Sequence, residues 1–352
     1  MSQKTPSEKG YRLPAEWEPH EATWISWPQP GCNSFPGSYE RVLPTFVAMA
    51  EALATSEIVR INVKNAEQEK TVRRLLKKCP PERVEFFHIP TDEPWCRDHG
   101  PIFVVRDKEP QVAALNFGFN AWGYKLSPFD EDNAVPSAVT AALGIPVFDQ
   151  SHFILEGGSI DGNGAGTIIT TESCLLNPNR NPSKDRAAIE KKLRETLGVT
   201  SILWLGDGIE GDDTDGHVDD ITRFIGPSTV ITAVEEDEND PNYEPLQRNL
   251  DRLHVMRLPS GEPLHVLTLP MPPRIEREGQ RLPASYANFY IANTAVLLPV
   301  YGDANDAWAV SALHEAFPTR RILPIDCREL IWGLGAFHCL TQQQPARPAR
   351  PT

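Results

Sequence analysis

Apolar side chains recur at helical spacing between residues 39 and 56, at Val42, Leu43, Phe46, Val47, Met49, Ala50 and Leu53. That period predicts a helix with one buried face. It gives way to Ile58-Val59-Arg60-Ile61-Asn62-Val63, a β-branched run of strand length. Residues 66–78 carry the next amphipathic pattern, and Val84-Glu85-Phe86-Phe87-His88-Ile89 reads as the strand after it. Ile102-Phe103-Val104-Val105, apolar throughout, predicts a buried strand. Helices are expected again over residues 183–197, 244–253 and 304–316. Strands are expected around Phe153-Ile154-Leu155, Thr167-Ile168-Ile169, Ile202-Leu203-Trp204, Val230-Ile231-Thr232, Val266-Leu267-Thr268 and Ala295-Val296-Leu297-Leu298.

The order is mixed, often strand-strand-helix-strand, which disfavours a doubly wound parallel sheet. No Gly-x-Gly-x-x-Gly turn joins a strand to a helix, and no Walker phosphate loop occurs. No repeat fixes a period by sequence alone. Without a linker through the body, one domain is expected over 1–344, with the proline- and arginine-rich 345–352 as a disordered tail.

Composition narrows the class. An apolar share of 40% supports a substantial core, and no eighteen-residue apolar stretch or N-terminal signal core is present, so a cytoplasmic protein with no membrane partner is expected. A formal net charge of −14 argues against nucleic-acid binding and favours cations, although solubility alone can account for it. The acidic run over 235–241 reads as a solvated loop. The six cysteines are dispersed with no CxxC pair, which disfavours a disulfide framework or a thiolate zinc site. Most should be reduced, buried and inert.

Cys339 is the exception to consider. It follows Gly333 and Gly335, which allow a tight turn and close approach, and it precedes the strand-like Leu340-Thr341-Gln342-Gln343-Gln344. A nucleophilic thiol needs a neighbouring cation, helix N-terminus or base; an inert core thiol is the bland alternative. His217 stands among Asp212, Asp213, Asp215, Asp219 and Asp220, carboxylates that can orient an imidazole and keep it protonated. If that stretch is extended, His217 and Asp219 point the same way. A calcium loop lacks its closing glutamate here, and an exposed acidic turn remains the bland alternative. Asp98 lies beside Arg97 just ahead of the strand at Ile102, and Trp95 offers a flat face for a guanidinium. Glu156 ends an apolar strand at two glycines, where a buried carboxylate needs a partner; His217 is the candidate. Thiol, imidazole and carboxylates together suit covalent catalysis on a positively charged carbon, hence a cysteine-dependent hydrolase of a cationic substrate.

The segments Leu13-Pro14-Ala15-Glu16-Trp17-Glu18-Pro19-His20, Trp95-Cys96-Arg97-Asp98-His99-Gly100-Pro101, Leu155-Glu156-Gly157-Gly158, Gly216-His217-Val218-Asp219 and Cys339-Leu340-Thr341-Gln342-Gln343-Gln344-Pro345 occur in this order. Together they resemble the agmatine deiminase and bacterial-type peptidylarginine deiminase family of guanidino-group-modifying enzymes. The resemblance implies a five-bladed α/β propeller (pentein) of pseudo-repeated ββαβ units around a central site. It implies Cys339 as nucleophile, His217 as general acid/base, Asp98 and Asp219 as the grip on the guanidinium, and Glu156 as partner of the histidine. No metal or organic cofactor is implied. Trp95 and Gly335 are expected to contact substrate. The implied substrate is a small guanidino cation, agmatine, converted to N-carbamoylputrescine on the way to putrescine. Its distal ammonium would sit on Asp92, Glu93 or Asp213. A homodimer is compatible with the resemblance. Asp215-Gly216, the cysteine loop Leu334-Gly335-Ala336-Phe337-His338, and His99 depart from the usual pattern and bear on substrate choice. Deimination of free or peptidyl arginine is the alternative within the class. Outside it stand a papain-like amide hydrolase, which leaves Asp98 and Asp219 unexplained, and a non-enzymatic cation-binding scaffold.

Overall fold

The computed structural model describes residues 4–348. Among them, five sheets share one connectivity: a first strand antiparallel to a second, a helix, then a third strand parallel to the second. Ile102–Val105, Val112–Gly118, helix Asp130–Leu143 and Val147–Ile154 form one such unit. Ile160–Gly162, Thr167–Thr171, helix Arg186–Leu197 and Ser201–Leu205 form the next. The pattern recurs through Thr222–Phe224 to His265–Pro270 and through Tyr290–Ile291 to Arg321–Asp326. The remaining sheet joins the two ends of the chain. Thr341–Pro345 runs antiparallel to His20–Ser26, which pairs in parallel with Ile58–Val63 beyond helix Tyr39–Leu53. Val84–His88 extends that sheet by a fourth strand.

This unit explains the strand-strand-helix-strand order in the sequence. It also corrects details. Helix Arg186–Leu197 starts later than its pattern suggested because Asp185 caps it, accepting from the Ala188 N–H at 2.9 Å. Helix Asp130–Leu143, which contains Pro136, and strand His20–Ser26 lie in stretches with no assigned element. The tail begins held rather than loose. Pro345 pairs with His20, the Ala346 N–H donates to Pro19 O at 2.7 Å, and Pro348 O accepts from Gln111 at 2.8 Å. Residues 349–352 lie outside the described residues.

The helices bury one face each. Tyr39–Leu53 covers Val42, Phe46, Met49, Ala50 and Leu53 in an apolar cluster that reaches Phe337 and Leu340, on either side of Cys339. Each of these side chains except Ala50 contributes about 1.5–3 kcal/mol by leaving water, so the segment carrying Cys339 is anchored in the core. All six cysteines are free thiols and buried. Among the described residues no helix is long and apolar enough to cross a membrane.

Candidate active site

Each unit is entered through a short junction, and the reactive groups sit in these junctions. Cys96–His99 is a single helical turn ahead of Ile102–Val105, and Gly157–Ser159 one ahead of Ile160–Gly162. Val218–Asp220 precedes Thr222–Phe224, and Phe337–Leu340 precedes Thr341–Pro345. Asn288 occupies the remaining junction, the fourth in chain order, before Tyr290–Ile291. Because all five sheets are entered the same way, residues far apart in sequence meet.

His217 and Asp219 do not share an extended strand. Asp212 Oδ2 accepts from the N–H groups of Gly216 and His217 at 2.9 and 3.1 Å, which curls the chain and starts a 3-10 turn at Val218. The two side chains still converge. His217 Nδ1 lies 3.7 Å from Asp98 Oδ1 and 4.0 Å from Asp219 Oδ1. Burial alone would strip the imidazole of its proton. Asp98, Cys174 and Asp219 outweigh it and hold His217 well above its ordinary pKa, as an imidazolium.

Asp98 is fixed on both oxygens. Oδ1 accepts from the Gly158 N–H at 2.9 Å and Oδ2 from Trp122 Nε1 at 3.0 Å. Burial pushes its carboxyl up to about 6; His217 pulls it back, while Asp219 and Glu156 push it further. Its sequence neighbour Arg97 turns away, donating to His338 O at 3.3 Å and Gln343 Oε1 at 2.6 Å.

Glu156 and His217 do not form the expected hydrogen bond. Glu156 Oε1 instead accepts from Arg180 Nε at 2.6 Å, both side chains being fully buried. A buried carboxylate needs a permanent cation more than it needs an imidazole already held by Asp98. Arg180 also reaches Asp215 and Thr214 O. Glu156 remains close: its carboxylate, Cys174 Sγ and a His217 nitrogen all lie within 4.8 Å of one another.

Cys339 Sγ accepts from Asn288 Nδ2 at 3.0 Å and lies 3.7 Å from Asp219 Oδ2. Asn288 also fastens the turn, since its Oδ1 accepts from the N–H groups of His338 and Cys339 at 3.0 and 3.3 Å. Burial, then Asp219, Asp220 and Asp98, push the Cys339 thiol well above its ordinary value, against the Asn288 hydrogen bond. His338 bridges Asp219 Oδ2 at 2.6 Å and Glu16 Oε2 at 2.8 Å; each contact is a hydrogen bond only where that nitrogen carries a proton. Glu16 is in turn held by Arg223 at 2.9 Å and Arg97 at 3.3 Å. Asp219 Oδ1, buried beside these, has no hydrogen-bond partner.

A cavity of about 130 Å³ opens on this cluster, lined among others by Trp95, Asp98, Trp122, Gly335 and Cys339. Trp95 donates to Ser34 Oγ at 2.7 Å. A Cβ on Gly335 would lie 2.7 Å from the Trp95 ring, so only glycine lets the Cys339 loop lie against that indole. Asp213 also lines the cavity, its carboxyl raised to about 6 by burial and by Asp212, against Lys125.

Asp92 and Glu93 are committed elsewhere. Asp92 Oδ2 accepts from the Glu131 N–H at the start of helix Asp130–Leu143, at 3.0 Å. Glu93 accepts from the Asn33 and Ser34 N–H groups at 2.7 and 3.1 Å, and from Ser34 Oγ. It shapes the cavity wall through Ser34 without facing the cavity. His99 is a core histidine, lowered to about 4 by burial, with Nε2 on Glu93 O at 3.2 Å. Sequence alone does not single out Asn288, Trp122 or Arg180, and Glu16 stands in the segment 13–20 with no role of its own assigned.

Two clusters could offer metal-binding atoms, Glu156–Cys174–His217 and Asp219–Asp220–Cys339. Metal ligation needs deprotonated donors. Here His217 is held as an imidazolium and burial, chiefly, raises both thiols, so a metal at either cluster would have to displace these protons.

The five like sheets and the cysteine–imidazolium–carboxylate cluster at their junctions define an α/β protein of the pentein class. Residues 12–345 match the Porphyromonas-type peptidyl-arginine deiminase family, and the chain belongs to it. It is 38% identical over 364 residues to an agmatine deiminase of Pseudomonas aeruginosa (strain LESB58), covering 97% of each. An agmatine deiminase of Enterococcus faecalis superposes with a TM-score of 0.93 at 35% identity, covering 99% of both chains. A substrate-bound agmatine deiminase of C. jejuni, with one cysteine replaced by serine, superposes with a TM-score of 0.87 at 33% identity, covering 96% of this chain and 97% of that one.

A raised thiol sets a pH dependence. The thiolate forms only above the free-cysteine value of about 8.5, so alkylation of Cys339 in the free enzyme should show no inflection below pH ~7. Iodoacetamide rates across pH, corrected with Cys339→Ser, measure this. An acidic inflection would indicate a standing thiolate–imidazolium pair instead.

Proposed function

We propose that the protein is an agmatine deiminase, hydrolysing agmatine to N-carbamoylputrescine and ammonia. The observation that carries this reading is the placement of Cys339 Sγ between Asp219 and the Asn288 amide, in a cavity shared with Asp98. Its agmatine deiminase relatives support it.

A guanidinium is resonance-stabilised and a poor electrophile, so it must be oriented and its desolvation offset. Asp98 and Asp219 Oδ1 supply the two carboxylates. The bound cation counteracts the same carboxylates that keep the thiol protonated, and Cys339 releases its proton to solvent as substrate enters, since His217 already carries one. The thiolate attacks the central carbon. His217 protonates the leaving nitrogen, ammonia departs, and an S-alkylthiouronium remains. Water then attacks with neutral His217 as base; the carbon–sulfur bond breaks, and the second hydroxyl proton returns to sulfur. Glu156 acts from beside His217, with Arg180 balancing its charge. Asn288 donates to the sulfur while it carries negative charge. Asp213 takes the distal ammonium.

Residues 1–344 act as one catalytic domain, its sheets the blades of a propeller, because the site draws on all five junctions. The product belongs to putrescine formation. Ammonia release from agmatine tests the reading. Turnover is expected; its absence under conditions where the protein is folded would overturn the proposal.

A further inference from the structure

The segment over residues 13–20 has no part in the reaction above, yet its buried Glu16 is bonded to four of the five units. Oε1 accepts from the Ile291 N–H at 2.8 Å. Oε2 faces Arg223 Nη2 at 2.9 Å, Arg97 Nη2 at 3.3 Å and His338 Nε2 at 2.8 Å. The fifth unit joins through Asp161, which accepts from Arg223 Nε. These groups border a cavity of about 30 Å³, lined among others by Glu16, Arg97, Gly157, Asp161 and His338. Among the described residues it shares no lining residue with the cavity at Cys339. Two neighbouring pairs are divided between them: Arg97 and His338 line this cavity, Asp98 and Cys339 the other. The cluster therefore stands behind the reacting groups.

His338 connects it to the site, with Nε2 on Glu16 and Nδ1 2.6 Å from Asp219 Oδ2. Against burial, Arg223, His338 and Arg97 hold the Glu16 carboxyl well below the usual carboxylate range. Against burial again, His338, His217 and Arg223 hold Asp219 below it. An ionised carboxylate only accepts, so both ring nitrogens of His338 must donate. A ring bonded at both ends has one orientation, and it pins Oδ2 of Asp219. The other oxygen, Oδ1, is the one left buried without a partner.

We propose that Glu16 and His338 are positioning residues: Glu16 sets the His338 ring, and the ring orients Asp219 so that Oδ1 is presented to the substrate guanidinium. This rests on the deiminase reading above and adds to it two residues that do not touch substrate. It also gives the segment over 13–20 its role. The segment is itself held, because Glu16 O accepts from His20 Nε2 at 2.7 Å.

The test uses the two places where an amide can stand in for the ring. His338→Asn puts an N–H at the position of Nδ1, toward Asp219; His338→Gln puts one at the position of Nε2, toward Glu16. With agmatine, His338→Asn should keep kcat/KM within about tenfold of wild type, the difference between a charge-assisted and a neutral hydrogen bond. His338→Gln should lose about 100-fold, the cost of misplacing a site group by about 1 Å. Thermal melts of both variants show whether each is folded. Equal losses, wild-type rates in both, a smaller loss in His338→Gln, or losses that track the melting temperature would overturn the proposal, since donor position would then not matter. Glu16→Gln is the poorer probe, because it takes the counter-charge from two buried guanidinium groups and puts the fold at risk. No ammonia from agmatine with folded wild type would overturn the deiminase reading itself, and this inference with it.

Discussion

Cys339→Ala should release no ammonia from agmatine above background, a loss of about 10⁴-fold or more, as for other removed nucleophiles, and should still bind agmatine. The separation of the two effects follows from the site. The thiol is buried and held protonated by burial and three carboxylates, so removing it takes away no charge. It forfeits the Asn288 contact at 3.0 Å, while Asn288 keeps its hold on the backbone N–H groups of residues 338 and 339. Asp98 and Asp219 stay where their own partners place them: Gly158 and Trp122 for the first, His338 for the second. In the proposed mechanism these carboxylates bind the cation, so affinity should persist when reactivity is gone. Ammonia assays with calorimetric titration of agmatine separate the two. Turnover within tenfold of wild type would remove Cys339 from the chemistry, and loss of binding together with folding would leave the thiol a core residue.

The sequence displayed groups whose type alone is unusual in context. Asp98, Glu156, His217, Asp219 and Cys339 stand beside glycines, tryptophan or clustered acids, and they form one buried cluster, of which Asp98 and Cys339 line the cavity. It did not display groups whose role depends on what comes near them. Asn288 lies in Ser285-Tyr286-Ala287-Asn288-Phe289, a stretch with no charge, and only the approach of residues 338 and 339 gives it a function. Asp92, Glu93 and Asp213 looked interchangeable because sequence does not reveal which carboxylates already have donors; two are occupied by backbone N–H groups. His217 and Asp219 converge although the reason given for it, an extended segment, is replaced by a turn built on Asp212. The fold was legible as strand-strand-helix-strand order but not as a repeat, since the five units share geometry and not residues. Once the shared junction is seen, the empty-looking fourth one at Asn288 is where a further site residue belongs.

Gly158→Ala should reduce kcat/KM for agmatine by about 100-fold or more, although it adds only one methyl group. Gly158 lies where no side chain fits. A Cβ there would be 2.5 Å from His217 Nδ1, 2.8 Å from Asp98 Oδ1 and 2.9 Å from Asp219 Oδ2. These are the imidazolium and the two carboxylates proposed to grip the guanidinium, each fully or nearly fully buried. None can swing into solvent, so the groups must move apart, and a displacement of about 1 Å in a positioned site costs about 10²-fold. The Gly158 N–H to Asp98 Oδ1 bond at 2.9 Å would stretch with them. Overpacking of this kind destabilises by about 1–3 kcal/mol, too little to unfold a chain that keeps its core. Gly158 has no left-handed φ, so the cause is space and not backbone strain. Gly226→Ala is the control, because a Cβ there meets nothing nearer than Thr229 at 3.7 Å. Steady-state kinetics and thermal melts of both variants decide the matter. Wild-type turnover in Gly158→Ala would mean that the three groups have slack, and that their close convergence is not what positions the guanidinium for attack.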